Sequence, residues 1–221
     1  MKVLVISAHP DDETIGAGGT LLRHVAKGDK VYWCVITQQG YSPPLPRKIL
    51  EKARQQIYEV QKAYDIREVF LFGLHTMKLN TMSHIEISSK IKKVVDQVHP
   101  DIVYTTPRCD INIDHRIVYE CTLVACRPLP GFLVRQLLSY EICTTSRYGL
   151  LSNAGCFNPN IFIDISDYLD RKIEIMSIYQ TELCKYPHPR SPEGIKLFAQ
   201  ERGLSVGLKA TECFELIRQL D

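Results

Sequence analysis

Val3-Leu4-Val5-Ile6-Ser7-Ala8-His9-Pro10-Asp11-Asp12-Glu13 decides the fold. The apolar run Val3 to Ile6 reads as the first strand of an α/β domain, and a polar cluster follows it directly. Pro10 and Asp11 can make the turn that ends the strand, but a turn has no use for an imidazole and three carboxylates within five residues. His9 and Asp12 have the chemistry to share a metal. Behind them a helix is expected through Leu21, Leu22 and Val25, with Asp12 as an available N-cap. Glu13 has a simple reading there, as a carboxylate at the favourable end of the helix dipole.

Strand-like runs recur at Lys30 to Thr37, Glu68 to Phe72, Asp101 to Thr105, Gln136 to Cys143 and Ile161 to Ile165, with helical patterns between most of them. Such alternation predicts a three-layer α/β/α, Rossmann-like, mostly parallel sheet. The clearest helix is His84 to His99, with Ile91, Val94, Val95 and Val98 at helical spacing, Ser83 available as N-cap and Pro100 as its stop. Between Gln38 and Pro46, three prolines remove donors and fix φ, which makes that stretch a loop. Ligands of open α/β sheets sit outside the carboxyl ends of strands, so this loop, Ala8 to Glu13 and Pro107 to His115 are expected to converge on one cleft.

At 221 residues the chain suits a single domain, 1–221, able to bury roughly 70% of its unfolded surface. A formal net charge of +2 is too small to indicate a nucleic-acid surface. The longest apolar runs are strand-sized, so no stable membrane insertion is expected. Eight cysteines without a C-x-x-C pair, and an amino terminus without the regions of a signal peptide, fit reduced thiols in the cytoplasm. Homo-oligomerisation is left open.

The second polar cluster, Asp110-Ile111-Asn112-Ile113-Asp114-His115, follows the apolar strand Ile102-Val103-Tyr104 and precedes a helical pattern through Ile117, Val118, Leu123 and Val124. If the first and fourth strands are neighbours, His115 approaches His9 and Asp12. Two histidines and one carboxylate would then hold a metal with positions open for water and substrate. Asp114 reads equally as a residue that orients a ligand and as an N-cap.

These two clusters, with Gly16, Gly18 and Gly19 behind the first and Asp114-His115-Arg116 in the second, resemble the zinc-dependent N-acetylglucosaminyl-phosphatidylinositol de-N-acetylase-like (LmbE-like, PIG-L) deacetylases. The resemblance covers most of the chain. It implies hydrolysis of the acetamide of an N-acetylated amino sugar to a free amine and acetate, with Zn2+ as cofactor. His9, Asp12 and His115 look like the metal ligands. Asp11 looks like the general base that then becomes general acid, taking a proton from the attacking water and giving one to the departing amine. Two histidines and a carboxylate also suit iron(II) or another divalent ion.

Where the family often has His-Pro-Asp-His, this chain has Asn112-Ile113-Asp114-His115, which opens the question of the oxyanion partner. Asn112 can donate an amide hydrogen bond there, or His188 can reach in from Tyr186-Pro187-His188-Pro189-Arg190-Ser191; His188 is preferred, because His-Pro-Arg-Ser resembles a family subset tied to bacterial carbohydrate biosynthesis. Arg190 and Ser191 are accordingly expected to bind substrate, Arg190 as a fork for a phosphate or carboxylate, with Arg108 and Arg116 weaker candidates. The substrate is thus expected to carry an anionic or nucleotide group. Tyr41 is the stacking candidate for the sugar, whereas Tyr32 and Trp33 read as core. His24, His75, His84 and His99 show no partner in the sequence.

Two other readings compete. Gly16-Ala17-Gly18-Gly19 lies where a dinucleotide fingerprint would, but G-x-G-x-x-G needs glycine at position 21, where Leu21 stands. A phospho-acceptor switch built on Asp11 and Asp12 with magnesium would leave His9 and His115 without a role. Another metal-dependent amidohydrolase is the remaining alternative.

Overall fold

A computed structural model describes residues 1–39, 46–131, 133–147 and 157–221. Strand β1 (Lys2–Ser7) lies inside a seven-stranded sheet of order β3-β2-β1-β4-β5-β7-β6. Its partners are β2 (Lys30–Gln39) on one side and β4 (Ile102–Thr105) on the other, both parallel. β3 (Glu68–His75) and β5 (Gln136–Tyr140) extend the parallel part. β7 (Thr211–Gln219) then runs antiparallel to both β5 and β6 (Ile161–Asp164).

Alternation along β1 explains the three layers. Val3 and Val5 join Trp33, Ile57, Val60 and Ile175 in one fully buried cluster; Leu4 and Ile6 join Ile91, Val94, Val118 and Leu137 in the other. The first face is covered by α1 (Asp12–Ala26), α2 (Arg47–Tyr64), α5 (Leu169–Met176) and α6 (Pro192–Leu204), the second by α3 (His84–Val98) and α4 (Ile113–Ala125). Trp33 is core, its indole Nε1 donating to Ser7 Oγ at 2.7 Å, while Tyr32 is partly buried and packs against the opposite cluster. No described helix is long and apolar enough to cross a membrane.

The glycines of α1 let the helix touch the sheet. A Cβ on Gly16 would stand 2.3 Å from Tyr140 Cδ2, and one on Gly18 2.4 Å from the Tyr64 hydroxyl. Leu21, where a fingerprint glycine would be needed, is buried in the core. These contacts account for the glycine-rich run without a phosphate.

Several boundaries differ from expectation. β5 stops at Tyr140, three residues before Cys143, and β3 runs on to His75. β7 was not anticipated, because Glu212 and Glu215 interrupt its apolar pattern. Asp11, not Asp12, occupies the N-cap of α1, with φ 99° and ψ −30° and no side-chain capping bond. Ser83 holds the N-cap position of α3 through its backbone carbonyl only. Val124 is exposed, so the buried stripe of α4 is Ile117, Val118, Cys121 and Ala125.

Candidate active site

The sheet order reverses between β1 and β4, and the loops leaving the carboxyl ends of these two strands meet there. The adjacency of strands one and four is therefore as expected. Ala8 to Glu13 and Pro107 to His115 converge, bringing His9, Asp12 and His115 together with ligand atoms all within 4.8 Å of one another. His9 Nδ1 and His115 Nε2 are 3.2 Å apart. Asp12 Oδ1 is 3.4 Å from His115 Nε2, and Asp12 Oδ2 is 3.5 Å from His9 Nδ1.

A carboxylate behind each imidazole selects the nitrogen that faces inward. Asp114 Oδ2 accepts from His9 Nε2 at 3.1 Å and from the backbone N–H of Met77, while Oδ1 accepts from Leu79 N–H. Asp110 Oδ2 lies 3.1 Å from His115 Nδ1 and is held by the hydroxyls of Thr145 (2.7 Å) and Ser146 (3.1 Å). With their outer nitrogens nearest these carboxylates, His9 Nδ1 and His115 Nε2 face each other and Asp12, and in the neutral form they would present lone pairs there. Three electron-rich atoms at one point call for a cation. Two nitrogens each about 2.1 Å from a tetrahedral or octahedral ion stand roughly 3.0–3.4 Å apart, so the separation fits a metal.

Burial opposes charge on His9 and His115, but the surrounding carboxylates outweigh it and raise both above the ordinary imidazole value. Burial likewise opposes ionisation of Asp12, yet His115 and His9 hold its carboxyl well below the usual range. Asp11 behaves oppositely: burial pushes it well above the carboxylate range, against the pull of Arg190. Its Oδ2 is buried without a hydrogen-bond partner. Glu13 is more than a dipole partner, since its fully buried carboxylate accepts from Asp11 N–H, Thr14 Oγ1 and the Tyr179 hydroxyl, and burial lifts its pKa to about 7.

A cleft opens from His9 and Asp11 between α2 and the segment from Tyr179 to Arg190. Asn112 and Arg190 line it. Asn112 Oδ1 accepts from Asp114 N–H and so caps α4; capping therefore falls to Asn112, and of the two roles expected for Asp114 it is the orienting one that the structure displays. His188 is exposed, its Nδ1 accepting from Arg190 N–H, and it is not among the residues lining the cleft. Ser191 requires correction: it is fully buried, and its Oγ accepts from Gly194 N–H as the N-cap of α6. Arg190 Nη1 contacts Glu182 at 3.0 Å and Asp11 at 3.7 Å. Arg108 and Arg116 face Glu215 and the Asp110 carbonyl instead of the cleft. Tyr41 lies outside the described residues. His24 bridges Asp29 and the Tyr104 hydroxyl, away from the site.

Asp110 and Glu182 were missed as site residues. Asp110 stands in the quoted cluster, five residues before His115, but its role depends on a loop that folds back. Glu182 belongs to no motif.

Residues 4–126 match the family described as PIG-L, GlcNAc-PI de-N-acetylase. The "Uncharacterized deacetylase YaiS" of Escherichia coli (strain K12) is 31% identical over 157 residues, covering 65% of this chain and 75% of the relative. The "Probable N-acetyl-alpha-D-glucosaminyl L-malate deacetylase 2" of Bacillus cereus is 23% identical over 188 residues, covering 81% and 83%. Among solved structures, N,N'-diacetylchitobiose deacetylase from Pyrococcus horikoshii superposes with a TM-score of 0.78 at 19% identity, covering 98% of this chain and 83% of that one, which establishes the shared fold.

Proposed function

The chain belongs to the PIG-L (GlcNAc-PI de-N-acetylase, LmbE-like) family, and from that premise we propose that it is a zinc-dependent hydrolase that removes the acetyl group from an N-acetylated amino sugar. The observation that carries this reading is the convergence of His9, Asp12 and His115 beside a buried carboxylate oxygen of Asp11 that accepts no hydrogen bond and lies 3.7 Å from Arg190 Nη1.

In this reading His9 Nδ1, His115 Nε2 and Asp12 hold a divalent ion, with zinc as the favoured species. When bound, the ion supplies Lewis acidity, which polarises the acetamide carbonyl and acidifies water. Asp11 takes the proton of the attacking water on its free oxygen and later delivers a proton to the departing amine. Its place beside Asp12 at the mouth of the cleft puts it within reach of both the attacking water and the departing amine. Asp114 and Asp110 act through the histidines, fixing tautomer and direction. Asn112, whose oxygen is committed to capping, keeps its amide N–H groups for the developing oxyanion, and its place in the cleft lining supports it over His188.

The proposal treats residues 1–221 as one catalytic domain acting on a small sugar. A cytoplasmic location is part of it, supported by cysteines whose spacing shows no C-x-x-C pair. The named relatives differ in what the sugar is joined to, malate in one and a second sugar in another.

Metal content measured by elemental mass spectrometry tests the site without knowledge of the substrate. Near-stoichiometric zinc in the wild type, lost in both His9→Ala and His115→Ala, is expected. A wild type that stays empty when zinc is supplied, or variants that retain it, would break the constellation.

A further inference from the structure

Resting on the deacetylase reading, the question left by the cleft is what kind of group the acetylated sugar is joined to. His9, Asp12 and His115 serve the acetamide end, so charge on the carrier must be met by the rest of the lining. Among the described residues there, Arg190 is the one side chain with a permanent positive charge. It is already engaged: Nη1 donates to Glu182 Oε2 at 3.0 Å and lies 3.7 Å from Asp11 Oδ2. Lys52 on α2 donates to Gln180 at 3.0 Å and does not line the cleft.

The segments outside the described residues add no cation. Residues 40–45 read Gly-Tyr-Ser-Pro-Pro-Leu, residue 132 is Phe and residues 148–156 read Tyr-Gly-Leu-Leu-Ser-Asn-Ala-Gly-Cys, without a charged side chain. Gln38, Gln56, Thr76 and Thr181 supply uncharged donors and acceptors along the lining, the kind of partner that hydroxyl groups take. A guanidinium recognises phosphate or carboxylate when its fork is open. Here an anionic carrier would have to displace Glu182 and sit beside two carboxylates, a like-charge arrangement that costs affinity.

We propose that the sugar's carrier is uncharged, a second sugar or another polyhydroxyl group, and that Glu182 determines this specificity by occupying Arg190. The anionic carrier expected from an open Arg190 fork is thereby replaced. Glu182 is two-fifths exposed, so an amide at this position disturbs little packing.

The test compares acetate release from methyl N-acetylglucosaminide and from N-acetylglucosamine 1-phosphate by metal-loaded wild type and Glu182→Gln. In the wild type kcat/KM is expected to favour the uncharged glycoside by about tenfold or more, and Glu182→Gln to shrink that ratio by about tenfold through faster turnover of the phosphate. Wild-type preference for the phosphate, or a ratio unchanged in the variant, overturns the inference and leaves the deacetylase reading standing. No acetate from either sugar at full metal occupancy overturns the deacetylase reading, and the inference with it.

Discussion

His9 and His115 turn different ring nitrogens toward one point because each has a different carboxylate at its back, Asp114 for the first and Asp110 for the second. The division of labour with the adjacent aspartates follows from surroundings. Asp12, between two imidazoles, is held ionised; Asp11, one residue away, keeps an oxygen without a hydrogen bond and is pushed upward by burial. Asp11→Asn is therefore expected to keep metal, measured by mass spectrometry, while kcat falls by about 10²–10⁴-fold in an acetate-release assay. Full turnover in that variant would remove Asp11 from the role of base.

The strands that carry these side chains were the most legible part of the sequence. Val3 to Ile6 and Ile102 to Tyr104 are uninterrupted apolar runs that end in polar clusters, and their adjacency in the sheet brings the two histidines together. What escaped notice depends on tertiary contact. β7 carries Glu212 as its second residue, where the carboxylate accepts from the backbone N–H groups of Gly19 and Thr20 in α1, a purpose no local pattern reveals. Ser191, beside a motif arginine, gave no sign that its hydroxyl faces Gly194 N–H and not the cleft. The glycines of α1 are points of close approach to side chains far along the chain, partners that no local pattern reveals. Gly16→Ala gains about 1 kcal/mol of helix propensity, but its methyl would meet Tyr140 at 2.3 Å. The net effect expected in urea unfolding is a loss of about 1–3 kcal/mol, since overpacking of a buried contact outweighs propensity.

Across the molecule, one buried ion pair ties α5, α1 and β7 together on the face that carries the cleft. Lys172 Nζ donates to Glu212 Oε1 at 2.7 Å and to Ile15 O at 2.8 Å, with both side chains about 3% exposed. Removing the cation leaves Glu212 buried with only backbone donors. Lys172→Met is expected to lower unfolding free energy by about 3–5 kcal/mol. Adding Glu212→Gln to that variant is expected to restore part of the loss, and no recovery would show that the pair's charge is not what stabilises this junction.

The left-handed backbone of Asp11, φ 99°, sets stability and turnover against each other at one position. A non-glycine residue in that region carries strain of about 1–3 kcal/mol, which glycine would relieve. A selection for heat resistance alone would therefore favour glycine at position 11, and the survivors would be sturdier proteins without a base. Thermostabilising libraries of this chain have to hold that codon constant, or screen for acetate release at the same time.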